Sequence, residues 1–415
     1  MKRSWPVLVI LVIIVLQALA TGRALFFNLA YLLGALVGVS FFWSWSNVRR
    51  MQVVRETRSH RSQVGQIAEE RFLVRNLSML PKLWVEVRDH SDLPGHHASW
   101  VVSTLPGRRS RGWAVRTMCR RRGRYRLGPL TLMSSDPFGL FEQRKHFPAT
   151  SSIVVYPWTE ELPSFDLSSG EVEGGAAARR RTHYVTTDVS GMRDYFPGDG
   201  LNRIHWPSTA RAGRLIVKEF ELDPSADVWL FVDMQGLVQA DRLWQGEQPP
   251  SHSLAPSRPT LEPSTEEYAV AIAASLARHF LGRGRSVGLV AFGHRREAVP
   301  PDRGERQMTK VMEALAAIRA IGSIPIAQII AAEGRALHRN TSAIVITPST
   351  DKTWVDSLRD LKRRGIRGLA VVLDATSFGR ASETDALMAA LALNGIPARR
   401  VREGDSLSTA LASAS

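Results

Sequence analysis

Two apolar runs close together at the start of the chain constrain its fold more than any other feature. Residues 7–20 are almost purely apolar, and residues 24–45 form a second run interrupted only by one asparagine and two serines. At about 1.5 Å per residue, the second run crosses a hydrocarbon core about 30 Å thick, whereas the first is short for a full span. Trp43 and Trp45 suit the water interface at the end of the second run. We therefore expect a transmembrane helical hairpin over residues 1–48.

The positions of basic residues predict which side of the membrane holds the rest of the chain. Lys2 and Arg3 precede the first run, only Arg23 lies between the runs, and a cluster of arginines follows at residues 49–61. Because basic flanks stay on the cytoplasmic side, this pattern predicts a two-pass anchor in the inner or plasma membrane with a cytoplasmic soluble part. The alternative is a secretory signal peptide cleaved after residues 18–20 (Ala-Leu-Ala), and the sequence leaves open whether the first run is cleaved.

The charge balance and the cysteine content exclude some classes of partner and site. The net charge of +15 favours anionic partners, but the excess is arginine spread along the whole chain, so a solvated surface explains it more simply. The nine arginines of residues 108–126 could bind nucleic acid or anionic lipid, but alternating exposed positions on strands beside a membrane explain them more simply. Cys119 is the single cysteine, which excludes an intramolecular disulfide and zinc sites built from cysteine pairs.

The soluble part changes character along its length, which predicts two domains. Residues 49–165 hold short β-branched and aromatic segments separated by Pro-Gly turns, typical of a small β-sandwich-like domain. Residues 166–227 combine a Ser/Gly/Ala/Arg linker, at 168–181, with a dense motif. Residues 228–415 alternate strands, expected at 228–232, 286–292, 343–347 and 368–373, with helices, the first at about 265–281. Such alternation predicts a parallel sheet covered on both faces, with a disordered insertion at about 245–263. The fold class is therefore α+β multidomain.

Three dense motifs carry a resemblance to a known family. They are residues 122–129 (RGRYRLGP), residues 136–141 (DPFGLF) and residues 193–221, which include RDYFPGD, RIHW and KEFE. Together they resemble the bacterial family called domain of unknown function 58. The resemblance implies a von Willebrand factor A-like α/β domain at the C-terminus. It also implies association with a MoxR-type AAA+ ATPase and with a membrane protein carrying a transglutaminase-like domain.

The long motif supplies most of the candidate binding residues. They are Arg193, Asp194, Tyr195, Gly198, Asp199, Arg203, His205, Trp206 and Arg211, to which we add Asp233 at the end of the first α/β strand. The Pro-Gly turn at residues 197–198 should place Asp199 beside a short helix over residues 201–206. One interpretation is an ion-pair network that locks the two domains together. The other is a recognition site in which arginines hold a partner carboxylate.

The motif at residues 136–141 has a simpler structural interpretation. An aspartate before Pro-Phe-Gly favours a turn. We expect Phe138, Leu140 and Phe141 to fill a core.

Chemical signatures are mostly missing from the sequence. In a von Willebrand-type Asp-x-Ser-x-Ser metal motif Asp233 would be the aspartate, but Gln235 and Leu237 stand at the serine positions, so we expect no divalent cation or other cofactor. Neither a Gly-x-Ser-x-Gly elbow nor a Walker A loop occurs. The sequence therefore predicts a membrane-anchored scaffold or protein-binding protein without catalysis. The alternative is a cell-envelope enzyme that uses Asp194, Asp199 and His205.

Overall fold

The computed structural model describes residues 5–148, 150–167, 189–195, 204–220, 227–242, 261–339 and 341–412; the side chains of residues 189–193 and 218–220 are outside this description. The described chain divides into two compact units: the first runs to Trp158 and also takes in Leu315–Ala317, and the second holds the other described residues from Thr159 onward. We call them the β unit and the α/β unit. The expected linker at 168–181 and most of the expected insertion at 245–263 lie outside the described residues.

Two helices open the chain where the apolar runs predicted them. Helix α1 spans Trp5–Thr21 and α2 spans Ala24–Val48. Within the described part of the chain, only α2 is both long enough, at 25 residues, and apolar enough, at a hydropathy of 2.0, to cross a membrane. Helix α1 has 17 residues and is shorter than a full span.

The β unit is built from three sheets. Its described strands are β1 (Met51–Thr57), β2 (Arg61–Gln63), β3 (Ile67–Asn76), β4 (Lys82–Asp89), β5 (Trp100–Leu105), β6 (Ser110–Met118), β7 (Gly123–Leu127), β8 (Leu130–Ser135), β9 (Glu142–Phe147) and β10 (Ser151–Tyr156). The sheet orders are β1-β3-β6, β5-β4-β8-β9 and β2-β10-β7. Every pairing is antiparallel except that of β2 with β10.

Side-chain alternation along the strands builds the core of the β unit. In β3 every second residue from Ala68 to Asn76 is buried, which puts Phe72 and Val74 on the inner face. They pack with Val85 and Val87 of β4 in one apolar cluster, so the first two sheets share a core. Truncation of a side chain such as Phe72 would cost about 3–5 kcal/mol of stability.

The last turns of α2 pack directly on the β unit. Ser40, Ser44 and Asn47 recur at helical spacing and are buried. The Asn47 amide donates to the carbonyl of Leu83 over 3.0 Å and to the Ser134 hydroxyl over 3.1 Å. The helix is therefore joined to strands β4 and β8 by specific polar contacts, and small serine side chains let the backbones approach.

The C-terminal part of the chain contains a two-stranded hairpin and a six-stranded sheet. The hairpin pairs β11 (Val189–Asp194) with β12 (Ile216–Phe220), and α3 (Trp206–Ala212) lies between them. The described sheet strands are β13 (Val228–Val232), β14 (Val287–Phe292), β15 (Arg296–Asp302), β16 (Ser342–Thr347), β17 (Arg367–Leu373) and β18 (Ala398–Val401). The described helices are α4 (Thr265–Gly282), α5 (Gly304–Ala317), α6 (Ile326–Glu333), α7 (Thr353–Arg363), α8 (Thr384–Leu393) and α9 (Leu407–Ala412).

The sheet order is β15-β14-β13-β16-β17-β18, which corrects one expectation. Five strands are parallel, as predicted for the sheet, although β18 was not among the four strands predicted, and β15 runs antiparallel to β14 at the edge. No strand was predicted at β15, within which Pro300 and Pro301 lie. Proline is tolerated in an edge strand, whose outer backbone groups need no ladder partner. Strand β13 is buried except at Trp229, as expected of a central strand covered on both faces.

Candidate functional site

The family-like motif folds as a hairpin with a short helix inserted. Asp194 of β11 pairs with Ile216 of β12, and the backbone N–H of Tyr195 donates to the carbonyl of Leu215 over 3.0 Å. Gly213 ends α3 with a φ of 64°. Glycine adopts this left-handed conformation without strain, which lets the chain turn from the helix into β12.

The expected helix over residues 201–206 is wrong in its described part. Ile204 forms a β-bridge with Val217, and the helix begins only at Trp206. The backbone N–H of His205 donates to the carbonyl of Ile216 over 2.8 Å, which holds this segment extended. Pro207 then provides the fixed φ that suits the first turn of a helix.

The described motif residues do not converge on one catalytic centre. Asp194 forms an ion pair with Arg214 at 3.1 Å, but both side chains are more than half exposed. His205 Nδ1 lies 2.7 Å from the hydroxyl of Ser208, a local contact within the first turn of α3. Trp206 is 63% exposed. These contacts are those of a solvent-facing surface segment.

Part of the predicted site is not tested by the structure. Arg211 lies on α3 and is exposed. Gly198, Asp199 and Arg203 lie outside the described residues, as does the side chain of Arg193.

Asp233 lies at the carboxyl end of the central strand β13 and is completely buried. One carboxylate oxygen accepts from the hydroxyl of Thr347 over 2.6 Å, and the other accepts from the backbone N–H of Gln235 over 3.0 Å. Burial raises the pKa of Asp233 to about 6, although both hydrogen bonds oppose that change. The carboxyl group therefore ties β13 to β16 and to the turn that follows β13.

The ligand atoms around Asp233 are largely engaged in hydrogen bonds within the protein. Both of its oxygens already have partners, and Leu237, at a serine position of the metal motif, turns outward. Asp351, the next carboxylate along the edge, accepts from the backbone N–H and the hydroxyl of Thr353 at the start of α7. Leucine at position 237 offers no side-chain oxygen, whereas Mg²⁺ takes several oxygen ligands in octahedral geometry.

Directly above Asp233 the sheet edge carries exposed apolar side chains. Leu237 is 77% exposed, Ile321 65% and Ile324 36%. We call these three residues the edge patch. The backbone N–H of Gly236 donates to the carbonyl of Gly322, and the N–H of Gly322 donates to the carbonyl of Met234, both over 2.9 Å. The two loops that carry the edge patch are thus held together by backbone hydrogen bonds.

Two further features fix the shape of the edge patch. A Cβ atom on Gly322 would lie 2.1 Å from the carbonyl oxygen of Phe292, so only glycine fits there. The guanidinium of Arg380 donates to the carbonyls of Leu237 and Gln239 and braces the first loop. The apolar side chains are therefore presented by rigid backbone.

A second cluster, in the β unit, was missed by the sequence analysis. Asp89 Oδ2 lies 2.6 Å from Arg55 Nη2 and 3.0 Å from His96 Nε2, and Glu70 Oε2 lies 3.1 Å from the same His96 nitrogen. All four side chains are 4% exposed or less. A signal existed, because Glu70 occupies the inward face of β3 between apolar residues.

The buried cluster is neutral when His96 is protonated. Burial alone would lower the pKa of His96, but the carboxylates of Asp89 and Glu70 outweigh it and raise the pKa to about 9. Glu70, Asp89 and His96 offer ligand-type atoms within 4.8 Å of one another. The Arg55 guanidinium and the protonated His96 ring, however, together already supply the two positive charges that a divalent metal would bring, and buried charges are stable only when paired in this way.

Comparison with known proteins matches the hairpin region and the end of β13. The family described as "Protein of unknown function DUF58" matches residues 191–241, which include most of β11 and all of α3, β12 and β13, with Asp233. The uncharacterized protein YeaD of Bacillus subtilis is 23% identical over 228 residues, which cover 54% of this chain and 50% of the relative. The chain therefore spans half the length of the curated relative that it matches.

Solved structures share only local likeness with the chain. The CARDB domain of the PF1109 protein from Pyrococcus furiosus is 16% identical, with a TM-score of 0.20, over 25% of this chain and 91% of that domain. The PapD-like domain of human CEP192 is 13% identical, with a TM-score of 0.18, over 25% of this chain and 84% of that domain. Scores this low carry no argument. The chain is therefore similar to the family of unknown function DUF58 over residues 191–241, and to the Bacillus relative over 54% of its length.

Proposed function

We propose that this chain is a membrane-anchored scaffold whose α/β unit binds a partner protein through the edge patch and catalyses no reaction. The observation that carries the proposal is the contrast at the carboxyl edge of the sheet: Leu237 and Ile321 are exposed, whereas Asp233 beneath them is buried and fully paired. Open α/β sheets bind ligands at this edge. Here the edge exposes apolar side chains, whereas the carboxyl group of Asp233 is not accessible to a ligand.

The rigidity of the edge patch favours protein binding. Exposed large apolar side chains that lie close together mark interaction sites, and binding loses less entropy when the loops are already ordered. The backbone hydrogen bonds of Gly322 with Gly236 and Met234, together with the Arg380 contacts, supply that order.

The partner and the topology of the anchor are further parts of the proposal. The family resemblance favours a subunit of a MoxR-type AAA+ ATPase as the protein bound at the edge patch, with a transglutaminase-like membrane protein in the same assembly. It also favours a von Willebrand factor A-like α/β unit, in accord with five parallel strands and an antiparallel edge. Helix α2 would be the membrane span, α1 would complete a two-pass hairpin, and the basic flanks would keep both units in the cytoplasm.

Replacement of Leu237 by aspartate tests the proposal. The full chain, solubilised in detergent from cells that also produce the candidate ATPase, should retain that ATPase on affinity capture. We expect Leu237→Asp to lose most of the captured ATPase. The matched control is Leu393→Asp, because Leu393 is 89% exposed but ends α8 away from this edge. Equal capture by both variants, with both folded, would contradict the proposed site.

A further inference from the structure

The loops at one end of the β unit surround the point where α2 ends. Strand β1 begins at Met51, directly after α2, and pairs there with Asn76 at the end of β3. Lys82, which begins β4, pairs with Leu105 at the end of β5, and Ser135 pairs with Glu142. The three loops at residues 77–81, 106–109 and 136–141 therefore project from the same end of the unit as α2.

The first loop shows apolar side chains to the outside. Leu77 is 58% exposed, Met79 75% and Leu80 53%. Its backbone is fixed from within, because the buried Asn76 amide donates to the carbonyls of Leu80 over 2.8 Å and Leu105 over 3.2 Å. An ordered loop that presents three large apolar side chains indicates a surface that meets an apolar phase.

The third loop contains the DPFGLF motif and lies against α2 itself. Phe141 packs edge-on against Phe41 of α2, with ring centroids 5.5 Å apart. Asp136 is buried, and its carboxylate accepts from the backbone N–H groups of Phe138 and Phe141 over 3.0 and 2.7 Å. Phe138 is 62% exposed, so the expectation that it fills a core is wrong. The turn instead holds Phe138 outward beside the apolar helix.

Arginines accompany the apolar tips. Arg49, Arg50, Arg108 and Arg109 are exposed, and within the described part of the chain none of them forms an ion pair with a carboxylate. The backbone N–H of Arg108 donates to the carbonyl of Ser78 over 2.9 Å, which packs the second loop on the first. Positive charge is thus interleaved with the apolar side chains.

We infer that this end of the β unit rests on an anionic lipid bilayer and inserts its apolar tips between the headgroups. The membrane-contact face consists of Leu77, Met79, Leu80 and Phe138 with Arg49, Arg50, Arg108 and Arg109. The inference rests on the proposed anchoring by α2, because the face is continuous with the end of that helix. Apolar insertion combined with basic residues at the surface is the pattern by which proteins bind anionic membranes.

Spin labels on the full chain test the inference. The only cysteine, Cys119, is buried, so single cysteines placed at exposed positions take the label. Met79→Cys probes the face, and Val39→Cys probes the exposed side of α2. His97→Cys is the control, since it is exposed in the β4–β5 loop at the opposite end of β4. Each variant is placed in nanodiscs that contain phosphatidylglycerol, and collision rates with oxygen and a water-soluble nickel chelate are measured.

The result expected is a several-fold higher ratio of oxygen to nickel collisions at position 79 than at position 97. If the ratio at position 79 equalled that at position 97 while the label at position 39 remained exposed to lipid, the membrane-contact face would be contradicted. The proposed membrane anchoring by α2 would not be affected by that result. A nickel-accessible label at 39 would overturn the anchor and this inference with it. An immobilised label at 79 without oxygen access would show that protein, not lipid, covers the face.

Charge reversal tests the lipid class. In the Met79→Cys chain, Arg108→Glu with Arg109→Glu should lower the oxygen ratio at position 79, and nanodiscs of phosphatidylcholine alone should lower it for the unreversed chain. The control reverses Arg124 and Arg126, exposed arginines of β7, and should leave the ratio unchanged. Equal ratios in both lipids and both reversals would rule out recognition of anionic headgroups.

Discussion

Thr347 donates its hydroxyl hydrogen to a carboxylate oxygen of Asp233 over 2.6 Å and so joins the carboxyl ends of the neighbouring parallel strands β13 and β16. Both side chains are completely buried. Asp233, which the sequence suggested as a binding residue, therefore has a structural role beneath the edge patch: it joins two strands.

The pKa of Asp233 makes stability depend on pH. A raised folded-state pKa of about 6, against an ordinary value of 3.8, means that the folded chain holds this proton more tightly than the unfolded chain. Protonation of Asp233 therefore adds to the free energy of unfolding. This contribution is full below pH 4 and is lost as the pH rises through 6, a total change of about 3 kcal/mol. We expect Asp233→Asn to remove this part of the pH dependence, measured by chemical unfolding in detergent between pH 4 and 7. If Asp233→Asn and the wild type showed the same dependence of stability on pH, the pKa of Asp233 would not be raised in the folded chain.

His96 should give a second pH dependence at higher pH. Its pKa of about 9 in the folded chain exceeds the ordinary 6.5, so its contribution is full below pH 6.5 and is lost as the pH rises through 9. The difference between these two pKa values corresponds to about 3 kcal/mol in the free energy of unfolding. We expect the melting temperature to fall from pH 7 to pH 9.5 and the fall to be smaller in His96→Gln. A titration of the His96 ring by NMR with a midpoint near 6.5 would contradict this.

Arg55 should be the costliest single residue to remove from the same cluster. Its loss leaves the buried carboxylates of Asp89 and Glu70 with too little positive charge, and breaking a buried pair costs about 3–5 kcal/mol. We expect Arg55→Met to lower the free energy of unfolding by that amount. Arg58→Met is the control, because Arg58 is 64% exposed in its pair with Glu69 and should change stability by less than about 1 kcal/mol. Similar losses in the two variants would argue against a tightly coupled cluster.

Gly322 connects stability with partner binding. A Cβ atom there meets the Phe292 carbonyl at 2.1 Å and the Met234 carbonyl at 2.8 Å, so Gly322→Ala must displace the loop that carries Ile321. We expect weaker capture of the partner protein and a loss of about 1–3 kcal/mol in stability. In Gly282→Ala, where the added atom meets nothing within 4 Å, both should stay as in the wild type. If Gly322→Ala captured as much partner protein as the wild type, the edge patch would not be the binding site.

His205→Ala separates the scaffold from the enzyme hypothesis. The lost contact with the Ser208 hydroxyl is local and partly exposed, so stability should fall by only about 0.5–1.5 kcal/mol. Capture of the partner protein and complementation of a deletion strain should both persist. A folded His205→Ala chain that captures its partner but fails to complement would favour chemistry at Asp194, Asp199 and His205.

The strands and helices with strong periodicity were predictable from sequence. Residues 228–232 and 265–281 gave continuous apolar and helical patterns, and β13 and α4 lie there. Strand β15 was missed because its two prolines argue against a strand in general but not at a sheet edge. The helix predicted over 201–206 does not form at Ile204, because this residue instead makes a β-bridge with Val217, a contact that the local sequence pattern does not encode.

The sites were harder to predict than the elements. Arg55, Glu70, Asp89 and His96 are far apart in sequence and on different strands or loops, so only the pairing of the strands brings them together. The edge patch likewise depends on a contact between residues 236 and 322 that no local pattern encodes. The outward turn of Phe138 depends on Asp136 accepting two backbone hydrogen bonds, whereas the sequence alone favoured an inward aromatic.

The ammonium group of Lys82 is buried and donates to the carbonyl of Ser46 in the last turn of α2, next to the Asn47 contacts. The same carbonyl also accepts from the backbone N–H of Arg49 over 3.2 Å, so Lys82 adds a second donor at the end of the helix. The end of α2 is therefore tied to the β unit by several polar contacts. A tilt or rotation of the helix would be transmitted to the β unit through these contacts, and a force on the β unit would reach the helix by the same route.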